Sequence, residues 1–597
     1  MEDKIYTLRR FYGLRECPDG DTKLKFGEAA ECENFAVTRD GNLRRRAGTK
    51  SLCKLGEGPV RGIWSGRIRG YEKLVSACGG KLFELSYNRK GLINKTEIGS
   101  LIDDTPTHFF GFSNILYILT GNHYFSYDGK SLKEVEGYVP LVAITVKNDG
   151  TFETLERINL LSPKRRAWLS PDGKNSGFKL PEQNIKKVNY VKNLNTGEIY
   201  TWDMWSCDLK SGLLNFRGCP TEGVNTIEVC WSAEKDFREK ICKMRYSELF
   251  NGAQDTRVFL YGDGSNKLYY SGLSYEGAGR ADYFPDMNEV KLGDENTAVT
   301  ALIRHYSTLL CYKTDSLWGI RAGETELAMG DKTAVYYCTP LNRSLGNEAP
   351  GQVQMVLNWP FSLCGRDLFK WESSAGIYPG SVELQRSAKR ISDRIYKSLG
   401  EFDFKNCVCF NDSAAQEYYI SCGNCCLVYN YASDAWYKYS GLNIKVFCRN
   451  HQRLLLGDES GNLLELSYRY NNDDGRPIIA YFESGSMAFL KEQRRKLAGE
   501  VWIGIKPESR GEIYIDCETD RGGSGGEKKI VSSLASLSSA DFNHWSFCTN
   551  RRPKIHKVKL KAKKFVYYKL IIRSRSAHSS GTVLASGLRI RFTGLAK

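Results

Sequence analysis

The sequence has no long apolar run. No window reaches 18 consecutive apolar residues, so no transmembrane helix and no membrane partner are expected. The first ten residues carry Glu2, Asp3 and Lys4 and no apolar core, which does not fit an export signal; synthesis and folding in a cytosol are expected. Stretches with a 3.6-residue apolar period are few, which argues against a helical protein. Histidine is scarce, at seven residues, with no H-E-x-x-H or other paired metal spacing. There is no G-x4-G-K-[ST] loop, and the glycine-rich Arg521–Gly526 has no helix after it. No Asp-box of the Ser-x-Asp-x-Gly-x-x-Trp kind occurs. From Arg551 to Lys597 there is no acidic residue at all.

What is present points to strands. A chain of 597 residues exceeds one ordinary core, and two to four domains are expected. Hydrophobic residues at 41% and charged residues at 26% are in the range of a globular protein. Tyrosine (34), phenylalanine (27) and β-branched runs are broken by Gly, Asn and Asp, the composition of strands and tight turns. The 19 cysteines are scattered through apolar runs, as at Cys78, Cys311, Cys364 and Cys448. Without an export signal they read as reduced, buried thiols.

A loose repeat begins near residue 58. Val60–Trp64 is followed by Lys73–Cys78, a Gly79-Gly80 turn and Lys81–Leu85. The same order recurs at 107–127, 300–320 and 445–466, and less cleanly at 254–290, 352–398 and 404–441. Antiparallel strands repeating at roughly forty residues are the pattern of propeller blades. A row of hairpins in one large sandwich is the alternative. The segment 141–245 is punctuated differently, with strands at 185–192, 198–203 and 226–232. Past 470 the repeat stops, and strand-like runs such as Glu500–Ile505, Glu512–Cys517 and Lys564–Ile572 suggest a sandwich. The expected fold is all-β, a β-propeller of six to eight blades with seven the best fit, carrying an inserted small β domain and a C-terminal β-sandwich. Its boundaries are an extended N-terminal segment with a β-hairpin at 1–57, blades at 58–140, the insert at 141–245, further blades at 246–483 and a basic sandwich at 484–597. One helix is expected, over 383–397, with Arg386, Lys389, Arg390 and Arg394 on it.

Several segments together resemble a known family. Ala30–Phe35 followed by Gly41-Asn42-Leu43-Arg44-Arg45-Arg46-Ala47-Gly48 resembles the opening of phage nozzle-type proteins. Lys267–Leu273, with Asp282-Tyr283-Phe284-Pro285-Asp286 and Val290–Asp294, resembles their central blade, and Lys313–Trp318 the strand after it. The insert opening Asn159-Leu160-Leu161 with Arg165-Arg166 is similar to those of phages of Gram-positive hosts. The resemblance to bacteriophage tail-nozzle and packaged-DNA-stabilisation proteins implies a structural virion protein, located in the phage tail and assembled in the host cytoplasm. It implies a homo-oligomer, often a ring of six, below the portal and adaptor and beside other tail proteins. Packaged double-stranded DNA would pass its channel, retained until ejection. It implies no enzyme and no cofactor. The alternative is a carbohydrate- or receptor-binding propeller on a tail tip or bacterial surface.

Charge is the sharpest site signal. The net charge is +16, and fourteen Lys/Arg fall between Arg551 and Lys597, leaving about +2 for the rest. In Lys557-Val558-Lys559-Leu560-Lys561-Ala562-Lys563 the charges alternate, so on a strand four lysines share one face. With Arg551 and Arg552 they form the candidate contact with DNA or a neighbouring subunit; a solvated strand edge is the plainer alternative. Cys407, Cys409, Cys422, Cys425 and Cys426 have a spacing that could hold zinc, but they alternate with apolar residues as buried thiols do. Aspartates at Asp128, Asp263 and Asp458 sit in turns, which explains them without the paired carboxylates of a glycosidase.

Overall fold

The computed structural model describes residues 3–88, 91–252, 254–326, 332–378, 381–522, 526–535 and 548–596. The chain is all-β. Among the described residues the α-helices are Arg238–Cys242 and Tyr396–Gly400, five residues each, and none is long and apolar enough to cross a membrane. The chain divides into two compact units. One comprises Met1–Ser65, Leu85–Lys95 and Gln352–Lys597, the other Gly66–Glu84 and Thr96–Gly351.

Six four-stranded sheets, and a four-stranded meander that forms one end of a larger sheet, follow one another along the sequence, the strand content of a seven-bladed propeller. They span 60–100, 108–134, 246–291, 299–342, 354–390, 408–440 and 444–467. Six are simple antiparallel meanders. The seventh supplies only three of its own strands, and its fourth is Gly48–Lys54 from near the N-terminus, which pairs with Asn462–Ser467. The stretch taken from sequence as an extended N-terminal segment to residue 57 therefore belongs partly to the last blade. Joining the two ends of a repeat within one sheet leaves no unpaired edge between them.

Within the second unit the side-chain period of two explains how blades stack. On the strand Gln254–Tyr261, Val258 and Leu260 pack with Phe110, Leu119 and Tyr124 of the second blade. Phe259 and Tyr261 point the other way, into a core with Val299, Leu309 and Cys311 of the fourth blade. A strand covered on both faces needs a continuous apolar run, here Val258-Phe259-Leu260-Tyr261. Thr308–Lys313 is likewise buried at all six positions.

The insert follows the second blade and forms two sheets over 141–233, around a core that includes Trp231, Phe178 and Leu214. The strand expected at 198–203 is absent. Asn193–Gly197 turns back on itself, and the strand resumes at Trp205–Asp208. Asn159 joins the insert to the third blade. Its amide donates to the carbonyls of Tyr138 (2.8 Å) and Asp282 (2.9 Å), and its oxygen accepts from the N–H groups of Leu161 (3.1 Å) and Phe284 (2.9 Å).

The helix expected over 383–397 is instead, over its first part, the strand Ser381–Arg390, paired residue for residue with Phe369–Tyr378. Cross-strand pairing with a partner already in place outweighs a helical composition. Arg390, at the strand's end, reaches Asp393 (2.5 Å), and Arg394, in the turn that follows, reaches Asp434 (3.0 Å).

The sandwich draws on both ends of the chain. Its first sheet sets Arg494–Ile505 between Thr582–Leu595 and the consecutive strands Lys554–Val558 and Ala562–Phe565. Asp3–Leu8 and the hairpin Phe35–Val37/Leu43–Arg45 extend the far side. The second sheet runs Gly13–Leu14, Glu28–Glu33, Ala480–Ser484, Tyr568–Ser574, Gly511–Thr519 and Lys528–Ser532, and continues into Ala435–Ser440 of the sixth blade. Leu8, Ser586 and Leu588 of one sheet face Ser484, Tyr568 and Leu570 of the other. Gly13 carries the chain across Trp436 at φ 76°, where a Cβ would stand 2.4 Å from the Trp436 carbonyl oxygen; only glycine fits.

Three successive arginines fasten this junction. Arg44 lies 3.6 Å above the Tyr468 ring. Arg45 is buried and donates to the carbonyls of Asn471 (2.5 Å), Ser576 (2.7 Å) and Ser579. Arg46, 1% exposed at its side chain, grips both oxygens of Asp473 and donates to Asn34 Oδ1 at 2.8 Å. Asn34 sits at φ 54° and donates in turn to Ser440 Oγ (2.9 Å) and the Ile479 carbonyl (2.8 Å). Replacing Arg46 by Ala leaves the Asp473 carboxylate without its cation. It is expected to lower stability in denaturant unfolding by about 3 kcal/mol or more, and Arg46→Lys to recover only part, because an ammonium cannot make the forked contact. An unchanged midpoint for Arg46→Ala would contradict this.

Candidate anion-binding face

The alternation read in 557–563 survives folding, though the strand does not run unbroken. Lys554–Val558 pairs with Val501–Ile505, and Ala562–Phe565 with Lys496–Ala498. Between them 559–561 leaves the ladder beside Gly499 and Glu500. Lys557, Lys559, Lys561 and Lys563 are exposed, while Val558, Leu560 and Ala562 are buried. Two strands over, Arg589 and Arg591 point to the same outer face, alternating with buried Leu588, Ile590 and Phe592. Lys559, Lys561, Lys563, Arg589 and Arg591 line one groove of about 370 Å³ with Asp3, Glu500, Leu497 and Gly499 on its floor and wall.

Two carboxylates hold part of this charge. Asp3 takes Arg589 Nη2 at 2.7 Å and Arg591 Nε at 2.7 Å. Arg591 first, then Arg589, holds its carboxyl well below the usual carboxylate range. Glu500 takes Lys557 Nζ at 2.7 Å and Arg589 Nη1 at 3.7 Å, and the Lys557 contact lowers its pKa. Lys559, Lys561 and Lys563 have no carboxylate within ion-pairing distance among the described residues. The anchored arginines are thus fixed in place, and three lysines exposed on the same face offer free charge to an anion. Such a face can neutralise phosphates in a row or meet an acidic protein surface.

The structure separates the other sequence candidates. Arg551 and Arg552 are exposed in irregular chain before Lys554 and do not line the groove. Arg589, Arg591 and Asp3 were not picked out from sequence. The signal for the first two was the period-two pattern Leu588-Arg589-Ile590-Arg591-Phe592; nothing local marked Asp3. No group of three metal-ligating side chains occurs among the described residues. Asp128 accepts from the N–H groups of Lys130 and Ser131, Asp263 from Ser265, and Asp458 from Ser460 and Asn462. These are turn-stabilising roles.

No known protein family's profile matches the chain, and no curated protein matches it. Among solved structures it is similar to virginiamycin B lyase from Staphylococcus aureus at 10% identity, over 70% of this chain and 98% of that one, with a TM-score of 0.30. It is also similar to the computationally designed Ika8 protein, at 10% identity over 70% and 99% of the two chains, with a TM-score of 0.31.

If the groove takes a polyanion, duplex DNA measures it. Replacing Lys559, Lys561 and Lys563 together by Gln is expected to weaken binding and to lower the slope of log affinity against log salt by about 2 to 3, at roughly 0.9 per phosphate contact. The Arg551→Gln/Arg552→Gln pair should change the slope less. Equal slopes for the parent and the triple variant would remove these lysines from any DNA contact.

Proposed function

We propose that this chain is a structural protein of a bacteriophage tail, of the nozzle or packaged-DNA-stabilisation kind. Copies of it would form a ring, six-membered in the simplest case, below the portal and adaptor. The ring would retain packaged DNA and let it pass at ejection. The observation that carries this is the placement of the segments that resemble that family. Asn34 and Arg46 fasten the sixth blade and the 471–479 loop to the sandwich. Asn159 meets Asp282 and Phe284 where the insert joins the third blade. Lys313 is buried with its Nζ 3.1 Å from the Leu292 carbonyl and 2.9 Å from the Asp294 carbonyl, tying the fourth blade to the third. A sequence signature spent on junctions suits a protein whose work is rigidity. In the same reading the groove of Lys559, Lys561, Lys563, Arg589 and Arg591 is where a neighbouring subunit or DNA docks.

Mixing the purified chain with a portal–adaptor complex tests it. Closed rings by negative-stain microscopy are expected. A particle that stays monomeric and binds glycans would overturn the proposal in favour of a receptor-binding propeller.

A further inference from the structure

The cysteines that could have been zinc ligands are arranged for a different chemistry. Val408 pairs with Ser421 and Cys409 with Ile420 across the first two strands of the sixth blade. Cys407 precedes the strand by one residue, and continuing the same register would set it opposite Cys422. Cys422 is in turn opposite Cys425 across the Gly423-Asn424 turn. Cys422 stands close enough to Cys407 to help raise its thiol pKa, behind the larger effect of burial. Both also reach one acceptor, the Asp403 carbonyl, at 3.3 and 3.9 Å. That carbonyl is held still, because the Asp403 side chain accepts from the Lys405 N–H (3.2 Å) and the Asn406 amide (2.7 Å). Directly opposed residues of an antiparallel pair have Cα atoms about 4.5 to 5.5 Å apart, inside the span of roughly 4.4 to 6.8 Å that a disulfide bridges. Cys422 is half-buried and within reach of solvent, whereas Cys407 is buried.

We propose that Cys407 and Cys422 are a thiol–disulfide pair that closes to an intramolecular cross-strand bond when the chain meets a low-molecular-weight disulfide oxidant. The Cys422 thiolate attacks the oxidant RSSR, forming Cys422–S–SR and releasing one RS⁻. The Cys407 thiolate then attacks Cys422 Sγ, and the second RS⁻ leaves. Two protein thiols are oxidised, their two protons pass to the departing thiolates, and RSSR is reduced to two RSH. Burial raises the Cys407 thiol well above its ordinary pKa, so it reacts second and only where its partner is already beside it. Cys425, raised to about 11 by burial, shares no hydrogen-bond acceptor with Cys422. The bond would staple the first strand of the blade to the second at the end away from their own turn.

The full chain is incubated with oxidised glutathione and mapped by non-reducing peptide mass spectrometry. A Cys407–Cys422 linkage is expected in the peptide map, absent again after dithiothreitol. Cys425→Ala should leave the linkage intact, and Cys407→Ala should stop at a glutathione adduct on Cys422. If Cys407→Ala does not fold, the unsubstituted chain and Cys425→Ala still decide. A Cys422–Cys425 linkage, a persistent Cys422 adduct in the unsubstituted chain, or Cys407 and Cys422 both recovered as free thiols after treatment would each overturn the proposal.

Discussion

Arg46 and Asn34 form the contact on which the larger unit depends. Their hydrogen bonds and the Asp473 ion pair gather three separate stretches of chain: the flanks of the N-terminal hairpin, the end of the sixth blade at Ser440 and the 471–479 loop that leads into the sandwich. Arg45 extends the grip to Ser574, Ser576 and Ser579. Immediately after these residues the chain enters Gly48–Lys54, the fourth strand of the last blade. One short segment therefore both completes a blade and seats the sandwich. An ion pair this buried is costly to break because the surviving partner stays desolvated, which makes the junction close to all-or-none.

The sandwich inherits the consequence. Because its first sheet is assembled from residues 3–8, 35–45, 494–505, 554–565 and 582–595, the cations of three strands are brought to one outer face. Asp3 comes from the opposite end of the chain, yet it sets the spacing of Arg589 and Arg591. The blades carry little of the net charge. Contacts with an anionic partner and the rigidity of the blades are thus assigned to different parts of the molecule.

Much of this was legible in the sequence, for local reasons. Each blade announces itself through turn chemistry such as Gly79-Gly80 and Asp458–Gly461 between apolar strands, and those turns close the hairpins they suggested. The lysine alternation of 557–563 also read through, since a period of two needs no partner to be visible. Three things did not. The fourth strand of the last blade lies some four hundred residues from its partner and carries no blade signature of its own. Ser381–Arg390 had helical composition but a strand partner. The Asp3–Arg589 contact spans 586 residues, and no local pattern encodes it.

The claim that the N-terminal segment closes the last blade and seats the sandwich is tested most directly by hydrogen exchange on a chain beginning at residue 55, set against the full chain. Protection is expected to be lost both at Arg453–Ser467 and at Thr582–Leu595, while the fifth blade's Trp359–Cys364 keeps its slow exchange. Equal protection of Asn462–Ser467 in the two chains would contradict it.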